Sequence, residues 1–200
     1  MKKKSVTISI GMLIVYVVAS AGIIILAAYL IGRYFKEAEL KYVTQHYEYD
    51  AASLNEVVGM ADYVFSARVI MRNKTEYSSS LDNRVGGVNE GGFPRTIYTV
   101  IVDKNLKGVL PIGEEIRIYK DGGVTRNGNT LLLVEGDTLP EAGKTYIFSA
   151  IAQPNGELLV AGLNSNNEYK YSKYLEYVDA VLRSREIERV RHTSRYDDGE

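Results

Sequence analysis

The N-terminal segment constrains the fold of this chain most, because residues 5–32 contain no charged side chain. Lys2, Lys3 and Lys4 precede this segment directly, and Arg33 follows it. An α-helix rises about 1.5 Å per residue, so about 20 apolar residues cross the hydrocarbon core of a bilayer. The segment therefore predicts one transmembrane helix, which would anchor the remaining chain in membrane lipid.

Two features of this segment bear on its processing and orientation. Ala19, Ser20 and Ala21 imitate a signal-peptide cleavage site, but the apolar run continues to Ile31. Because a cleavage site follows the end of the hydrophobic region, the sequence favours an uncleaved signal anchor, with cleavage as the alternative. The short basic tail before the segment favours a cytoplasmic N-terminus and an extracytoplasmic C-terminal part, by the positive-inside rule.

Charge and cysteine usage exclude several classes of function. All 25 acidic residues, but only 21 of the 24 basic ones (24 less the three N-terminal lysines), lie after residue 32. This net acidic part argues against a nucleic-acid partner, because binding of phosphates needs a basic surface. The chain has no cysteine, which excludes disulfides, thiolate zinc sites, a cysteine nucleophile and a lipidated cysteine.

A period-two alternation of apolar and polar residues begins at Tyr63 and predicts β-strands. The predicted strands cover residues 63–72, 96–104, 115–120, 124–125, 131–134, 145–152 and 157–162. The second of these is apolar on both faces, as in a central strand. Asn127-Gly128 and Pro154-Asn155-Gly156 are hairpin turn signals, because Asn-Gly tolerates positive φ and Pro presets φ.

Helical patterns flank these strands. Residues 33–52 continue the helical period and predict a stalk helix. Ser53 and Glu56 form a capping-box pattern that opens a short helix, and Ser165 and Glu168 form another before a tyrosine-rich amphipathic helix. The basic end predicted for that last helix comprises Arg183, Arg185, Arg189, Arg191 and Arg195.

Together these patterns predict four regions. A transmembrane anchor covers residues 1–32, a juxtamembrane stalk 33–52, a β-barrel domain 53–165, and a C-terminal helix with a polar tail 166–200. The fold class is mainly β: a small antiparallel five- or six-stranded barrel with flanking helices, preceded by one transmembrane helix. Closure into a barrel would hide the sheet edges.

Several short motifs carry a resemblance to a known group of proteins. They are residues 61–65 (Ala-Asp-Tyr-Val-Phe), residues 98–100 with 106–108, the pair Gly122-Gly123, and residues 139–148. Their order resembles that of uncharacterised membrane-anchored or secreted proteins of Gram-positive bacteria with a netrin-like or oligonucleotide-binding (OB) fold barrel. The resemblance covers about residues 53–196 and implies a cell-envelope location. It implies a fold rather than an activity, because turn and strand residues carry it.

The chain offers few groups for catalysis. His46 and His192 are the only histidines, and neither has a nucleophile beside it in the sequence. There is no nucleophile elbow or phosphate-binding loop, and the aspartates are not spaced as in a calcium loop. We therefore predict a protein that is not an enzyme, with no catalytic residues, metal or cofactor.

The remaining hypothesis is a binding module that recognises a protein or a cell-envelope polymer. Its predicted contact surface is the long Gly/Ser/Asn-rich loop at residues 73–94, since binding residues favour loops on rigid scaffolds. Tyr77, Arg84 and Phe93 are the predicted contact residues. The alternatives are a structural or assembly subunit of a membrane complex, and a hydrolase with an unrecognised carboxylate site.

Overall fold

The computed structural model describes residues 38–78 and 92–197, together with helical backbone at Gly22, Ile25 and Leu26. The chain divides into two compact units, Met1–Glu37 and Ala38–Glu200. Among the described residues, no helix is long and apolar enough to span a bilayer. The predicted anchor at residues 5–32 otherwise lies outside the described residues, so its membrane span stays a prediction.

The second unit is mainly β with two helices, as predicted. Its strands are β1 (Glu39–Val43), β2 (Tyr63–Ser78), β3 (Phe93–Lys107), β4 (Glu115–Asp121), β5 (Gly123–Val124), β6 (Thr130–Val134), β7 (Thr145–Ala152), β8 (Leu158–Val160) and β9 (Asn166–Glu168). The helices are α1 (Leu54–Met60) and α2 (Tyr171–Arg183). Both predicted hairpins form, because β5 pairs antiparallel with β6 and β7 antiparallel with β8.

The larger sheet has the strand order β2-β3-β4-β8-β7-β9, and β2 also pairs with β7. Each of β2, β3, β4, β8 and β7 therefore has a neighbouring strand on both sides. The pair β4–β8 is parallel, as is the pair β1–β6 of the smaller sheet. The prediction of an antiparallel barrel is wrong at the pair β4–β8, whereas β1 belongs to the predicted stalk. Hairpin signals report only strands that are adjacent in sequence, whereas these partners are far apart along the chain.

Side chains from the strands of the larger sheet form the main hydrophobic core. Its fully buried members include Phe65, Val69, Tyr98, Val100, Ile116, Ile118, Phe148, Leu158 and Val160. Their alternation along each strand explains the period of two in the sequence. Burial of each large apolar side chain contributes about 1.5–3 kcal/mol, so this cluster is the main stabilising feature of the unit.

The smaller sheet has the order β1-β6-β5 and covers a second apolar cluster of Val43, Phe93, Leu132 and Val134. The stalk helix predicted over residues 33–52 is therefore wrong at β1, which is a strand. β1 pairs in register with β6, from Glu39 opposite Thr130 onward. A short segment takes the structure that its tertiary partner favours, which here overrides the helical period.

Both helices begin differently from the capping-box prediction. Ser53 is the N-cap of α1, but its side chain makes no capping bond. The carboxylate of Glu56 instead accepts a 2.7 Å hydrogen bond from the backbone N–H of Asp50. α2 begins after Lys170 rather than near Ser165, whose hydroxyl is buried and donates to the carbonyl of Gly162 at 2.6 Å.

The chain beyond Arg183 is not helical, so the predicted basic helix end is wrong for the last four arginines. We call residues 184–197 the C-terminal tail. Arg189 donates to the carbonyl of Met60 from Nε (3.0 Å) and from a terminal nitrogen (2.8 Å). Arg191 donates to the carbonyl of Gly59 at 2.8 Å. These cations complement the carboxyl end of α1, rather than the end of the helix that precedes them.

Asp62 completes this connection between the tail and the strands. Its carboxylate pairs with Arg189 at 2.6 Å and with Arg191 at 2.9 Å, and it accepts a hydrogen bond from the N–H of Ala152 at 2.9 Å. Further along, the Tyr63 hydroxyl donates to Asp197 at 2.7 Å. The tail is therefore held along α1 and the start of β2 by charge-assisted hydrogen bonds.

Candidate binding sites

The segment predicted as a contact loop, residues 73–94, is partly strand. β2 extends to Ser78 and β3 begins at Phe93, while residues 79–91 lie outside the described residues. The Tyr77 hydroxyl donates to the carbonyl of Val124 at 3.1 Å, and Arg126 lies 4.5 Å from the centre of its ring. The Phe93 ring is fully buried in the second apolar cluster, so it is not accessible to a partner.

The prediction for Arg84 falls outside the described residues and stays a prediction. The structure therefore places Tyr77 and Phe93 near the ends of adjacent strands, where both serve packing. Phe93 follows a glycine-rich stretch, and as an apolar residue it begins a buried strand.

A groove of about 470 Å³ lies beside the predicted loop, across three adjacent strands. We call it the basic groove, and its lining residues are Met71, Arg72, Asn73 and Lys74 of β2, Ile97 of β3, and Arg117 of β4. Three cations and no acidic residue line it. It overlaps the predicted contact segment only at Asn73 and Lys74.

Irregularities in β2 expose the wall of the basic groove. The pairing of β2 with β3 shifts between Val69 and Met71 and again between Arg72 and Thr75. As a result, the four residues 71–74 are all exposed, where a regular strand would bury alternate side chains. The Thr99 hydroxyl donates to the side-chain oxygen of Asn73 at 3.1 Å and holds this stretch against β3.

Tyr98 lies behind the basic groove in the main core. Burial raises the pKa of Tyr98 to about 12, and the charge of Arg72 opposes that rise. Its hydroxyl is buried and has no hydrogen-bond partner among the described residues. The positive charge of Arg72 therefore acts on the buried Tyr98 hydroxyl as well as in the groove.

The C-terminal tail reaches the strand that carries Arg117. The ring of Tyr196 packs against the main core, and its hydroxyl accepts a 3.1 Å hydrogen bond from the backbone N–H of Arg117. Arg195 is held nearby, because its backbone N–H donates to the carbonyl of Gly156 at 3.0 Å. The tail thus fixes β4 at one border of the basic groove.

A second pocket, of about 390 Å³, lies where the chain leaves β1 and approaches α1. We call it the aromatic pocket. Its lining residues are Thr44, Gln45, His46, Tyr47, Tyr49, Asp50, Ala51, Ala52, Val134, Glu135 and Leu163. No lysine or arginine lines it, in contrast to the basic groove.

Two tyrosines form the aromatic part of this pocket. The ring centres of Tyr47 and Tyr49 are 5.3 Å apart, with the planes tilted by 58°. The Tyr47 hydroxyl donates to Gln45 at 3.2 Å. Its position depends on Gly162, because a Cβ there would clash with that hydroxyl, and Gly162 also has a positive φ of 83°.

Charged residues are buried close to the aromatic pocket. Lys120 and Asp137 form an ion pair whose side chains are 0% and 4% exposed. Arg95 pairs with Asp121 at 3.0 Å, with side-chain exposures of 16% and 1%. Burial raises the pKa of Asp137, and the neighbouring ammonium of Lys120 opposes that rise.

The same cluster contains a serine beside a lysine, a combination that some hydrolases use. Lys120 donates to the Ser165 hydroxyl at 3.3 Å. Ser165 is only 2% exposed, and its own proton is committed to Gly162. Lys120 is also in an ion pair with Asp137, so its Nζ is engaged by that carboxylate and is not free to accept the Ser165 proton. The arrangement stabilises the fold rather than activating a nucleophile.

The two histidines are far apart in the sequence and lie in different parts of the fold. His46 lines the aromatic pocket, and His192 lies in the C-terminal tail. Within residues 38–78 and 92–197, no group of three histidine, aspartate or glutamate side chains is arranged to hold a metal ion.

No known protein family matches this chain, and no curated protein is similar to it in sequence.

Proposed function

We propose that this chain is a single-pass membrane protein that presents a noncatalytic extracytoplasmic β-barrel module, and that this module binds a cell-envelope polymer. The basic groove is the binding surface, and the polymer is anionic. The observation that carries the proposal is the groove itself, where three cations line an exposed surface of a net acidic chain.

The strand pairing supports an OB-like barrel. Five strands form a ring in the order β2-β3-β4-β8-β7, closed by the pair β2–β7. If only these five strands are numbered 1 to 5 along the chain (β2, β3, β4, β7, β8), the order around the ring is 1-2-3-5-4-1. Strands 3 and 5, which are β4 and β8, are parallel, as expected for an OB fold. OB folds bind extended polymers across their second and third strands. Here those strands are β3 and β4, which contribute Ile97 and Arg117 to the groove.

The groove chemistry supports an anionic, extended ligand. Arg72, Lys74 and Arg117 supply positive charge, while Met71, which is 49% exposed, supplies apolar contact above the buried Ile97. Lys74 also pairs with Glu76 at 2.7 Å, but both side chains are about half exposed or more, so a ligand competes easily for this cation. The proposed extracytoplasmic location favours an envelope polymer over nucleic acid as the polyanion, and the acidic balance of the remaining chain disfavours binding of a polyanion outside the groove.

The N-terminal segment supports presentation of this module at a membrane. Residues 5–32 are uncharged, and the three lysines before them favour a cytoplasmic N-terminus. The described part of the chain follows this segment within a few residues. The proposed location is therefore the outer face of the cytoplasmic membrane, where an envelope polymer is available.

A binding measurement with the full-length chain in maltoside micelles tests this proposal. The probe is a poly(glycerol phosphate) of defined length, titrated at several salt concentrations. Replacing Arg72, Lys74 and Arg117 together by glutamine is expected to weaken binding by about 3- to 150-fold, because each exposed charge contact contributes about 0.2–1 kcal/mol. Binding should also depend less steeply on salt.

A matched control removes three cations outside the groove. Lys170, Lys173 and Arg185 replaced together by glutamine change the net charge equally and should alter the affinity by less than about twofold. Equal losses in both triple variants would show that only net charge matters. Tight binding that survives in the groove variant would place the polymer elsewhere.

A further inference from the structure

The aromatic pocket has the composition of a cation site, although the proposed function does not use it. We propose that it binds a small organic ammonium ion between Tyr47, Tyr49 and the carboxylates of Asp50 and Glu135. This ligand is distinct from the anionic polymer of the basic groove.

The tyrosine pair provides the aromatic faces. Cations are attracted to the face of an aromatic ring within about 6 Å of its centre, most strongly where water is partly excluded. Tyr47 and Tyr49 both line the pocket and are half-buried, and their ring centres lie 5.3 Å apart. The volume of about 390 Å³ lies in the range of about 300–1,000 Å³ typical of small-molecule pockets.

The charges around the pocket are negative on balance. Asp50 and Glu135 line it, and no lysine or arginine does. Behind it, Asp137 and Asp121 are each paired with a cation, Lys120 and Arg95, so these two ion pairs add no net charge. The net negative charge near the rings therefore comes from Asp50 and Glu135, and it favours a cation.

Two backbone donors at the pocket are already occupied and do not attract an anion. The N–H of Asp50 donates to Glu56, and the N–H of Ala52 donates to the Asp50 carboxylate at 2.9 Å.

The experiment uses the full-length chain in maltoside micelles, because detergents with choline head groups would compete for the site. Choline is titrated calorimetrically beside its neutral isostere, in which carbon replaces the nitrogen. Choline is expected to bind at least about tenfold more tightly than the isostere, since only the cation gains from the ring faces and carboxylates. Equal affinities would overturn the proposal, as would a preference for acetate over choline.

Substitutions of residues that line the pocket test whether choline binds there. Tyr49→Leu and Glu135→Gln should each weaken choline binding several-fold, whereas Tyr49→Phe, which keeps the ring, should retain it. Glu48→Gln is the matched control, because Glu48 is exposed, lies between the two tyrosines in sequence and does not line the pocket. Choline binding that is unchanged in both Tyr49→Leu and Glu135→Gln would assign it to another place and refute the proposal.

Discussion

Replacing Asp137 by asparagine is expected to lower the free energy of unfolding by about 3–5 kcal/mol, because it leaves a buried ammonium without its counter-charge. Lys120 is 0% exposed, so water does not replace the lost carboxylate. The other polar partner of the ammonium, the Ser165 hydroxyl at 3.3 Å, carries no charge. Domains are usually stable by about 5–15 kcal/mol, so the loss would be a large share of the total.

Urea unfolding of the full-length chain in micelles, followed by tyrosine fluorescence, measures this loss. Adding Lys120→Met to Asp137→Asn should recover part of the stability, since the double variant buries no charge. Arg183→Gln is the control, because Arg183 and Asp179 form an exposed pair whose loss should cost less than about 0.5 kcal/mol. If Asp137→Asn costs no more than this control, the burial argument is wrong.

Three further predictions concern Tyr177 and Gly59. Tyr177→Phe should cost about 1–3 kcal/mol in the same unfolding assay, because the buried hydroxyl donates to Asn164 at 2.9 Å and accepts from Asn167 at 2.8 Å. Burial raises the pKa of Tyr177 from 10.0 to about 12. The folded state therefore holds the Tyr177 hydroxyl proton more tightly than the unfolded state, and this contribution to stability, present below pH 10, should fall as the pH rises towards 12. The free energy of unfolding should fall less steeply with pH in Tyr177→Phe, and equal slopes in the two proteins would contradict this. Gly59→Ala should release the C-terminal tail, because the added Cβ would clash with the carbonyl of Arg185, although alanine favours the helix by about 1 kcal/mol. Faster proteolysis at the tail arginines would reveal the release, and an unchanged cleavage rate would count against it.

The strands of the larger sheet other than β9 were predictable because their information is local. Alternating side chains from Tyr63 onward mark the two faces, and Asn155-Gly156 supplies the positive φ (78° at Gly156) that the turn between β7 and β8 requires. β9 was missed, because Asn166–Glu168 has no apolar alternation of its own. β1 was not predictable, because Glu39–Val43 carries a helical period and becomes a strand only beside β6. Its structure depends on a partner about ninety residues away, which no local pattern reports.

The candidate sites were less accessible to sequence reasoning than the fold. The polar run Arg72-Asn73-Lys74, where the predicted strand meets the predicted loop, was the one signal of the basic groove, since it breaks the alternation where β2 bulges. The aromatic pocket combines residues 44–52 with Val134, Glu135 and Leu163, which meet only after the smaller sheet has formed. The C-terminal arginines illustrate the same limit, because their partners at the end of α1 are about 130 residues away.

The absence of cysteine from the chain allows a direct test of whether the β module is held outside the cell by its N-terminal segment. Leu182 is 79% exposed, so Leu182→Cys provides a reporter in the module, and Lys4→Cys provides one before the predicted anchor. The measurement is labelling by a membrane-impermeant maleimide before and after cell lysis. We predict that Leu182→Cys is labelled fully on intact cells and Lys4→Cys only after lysis. Labelling of Leu182→Cys only after lysis would contradict the account.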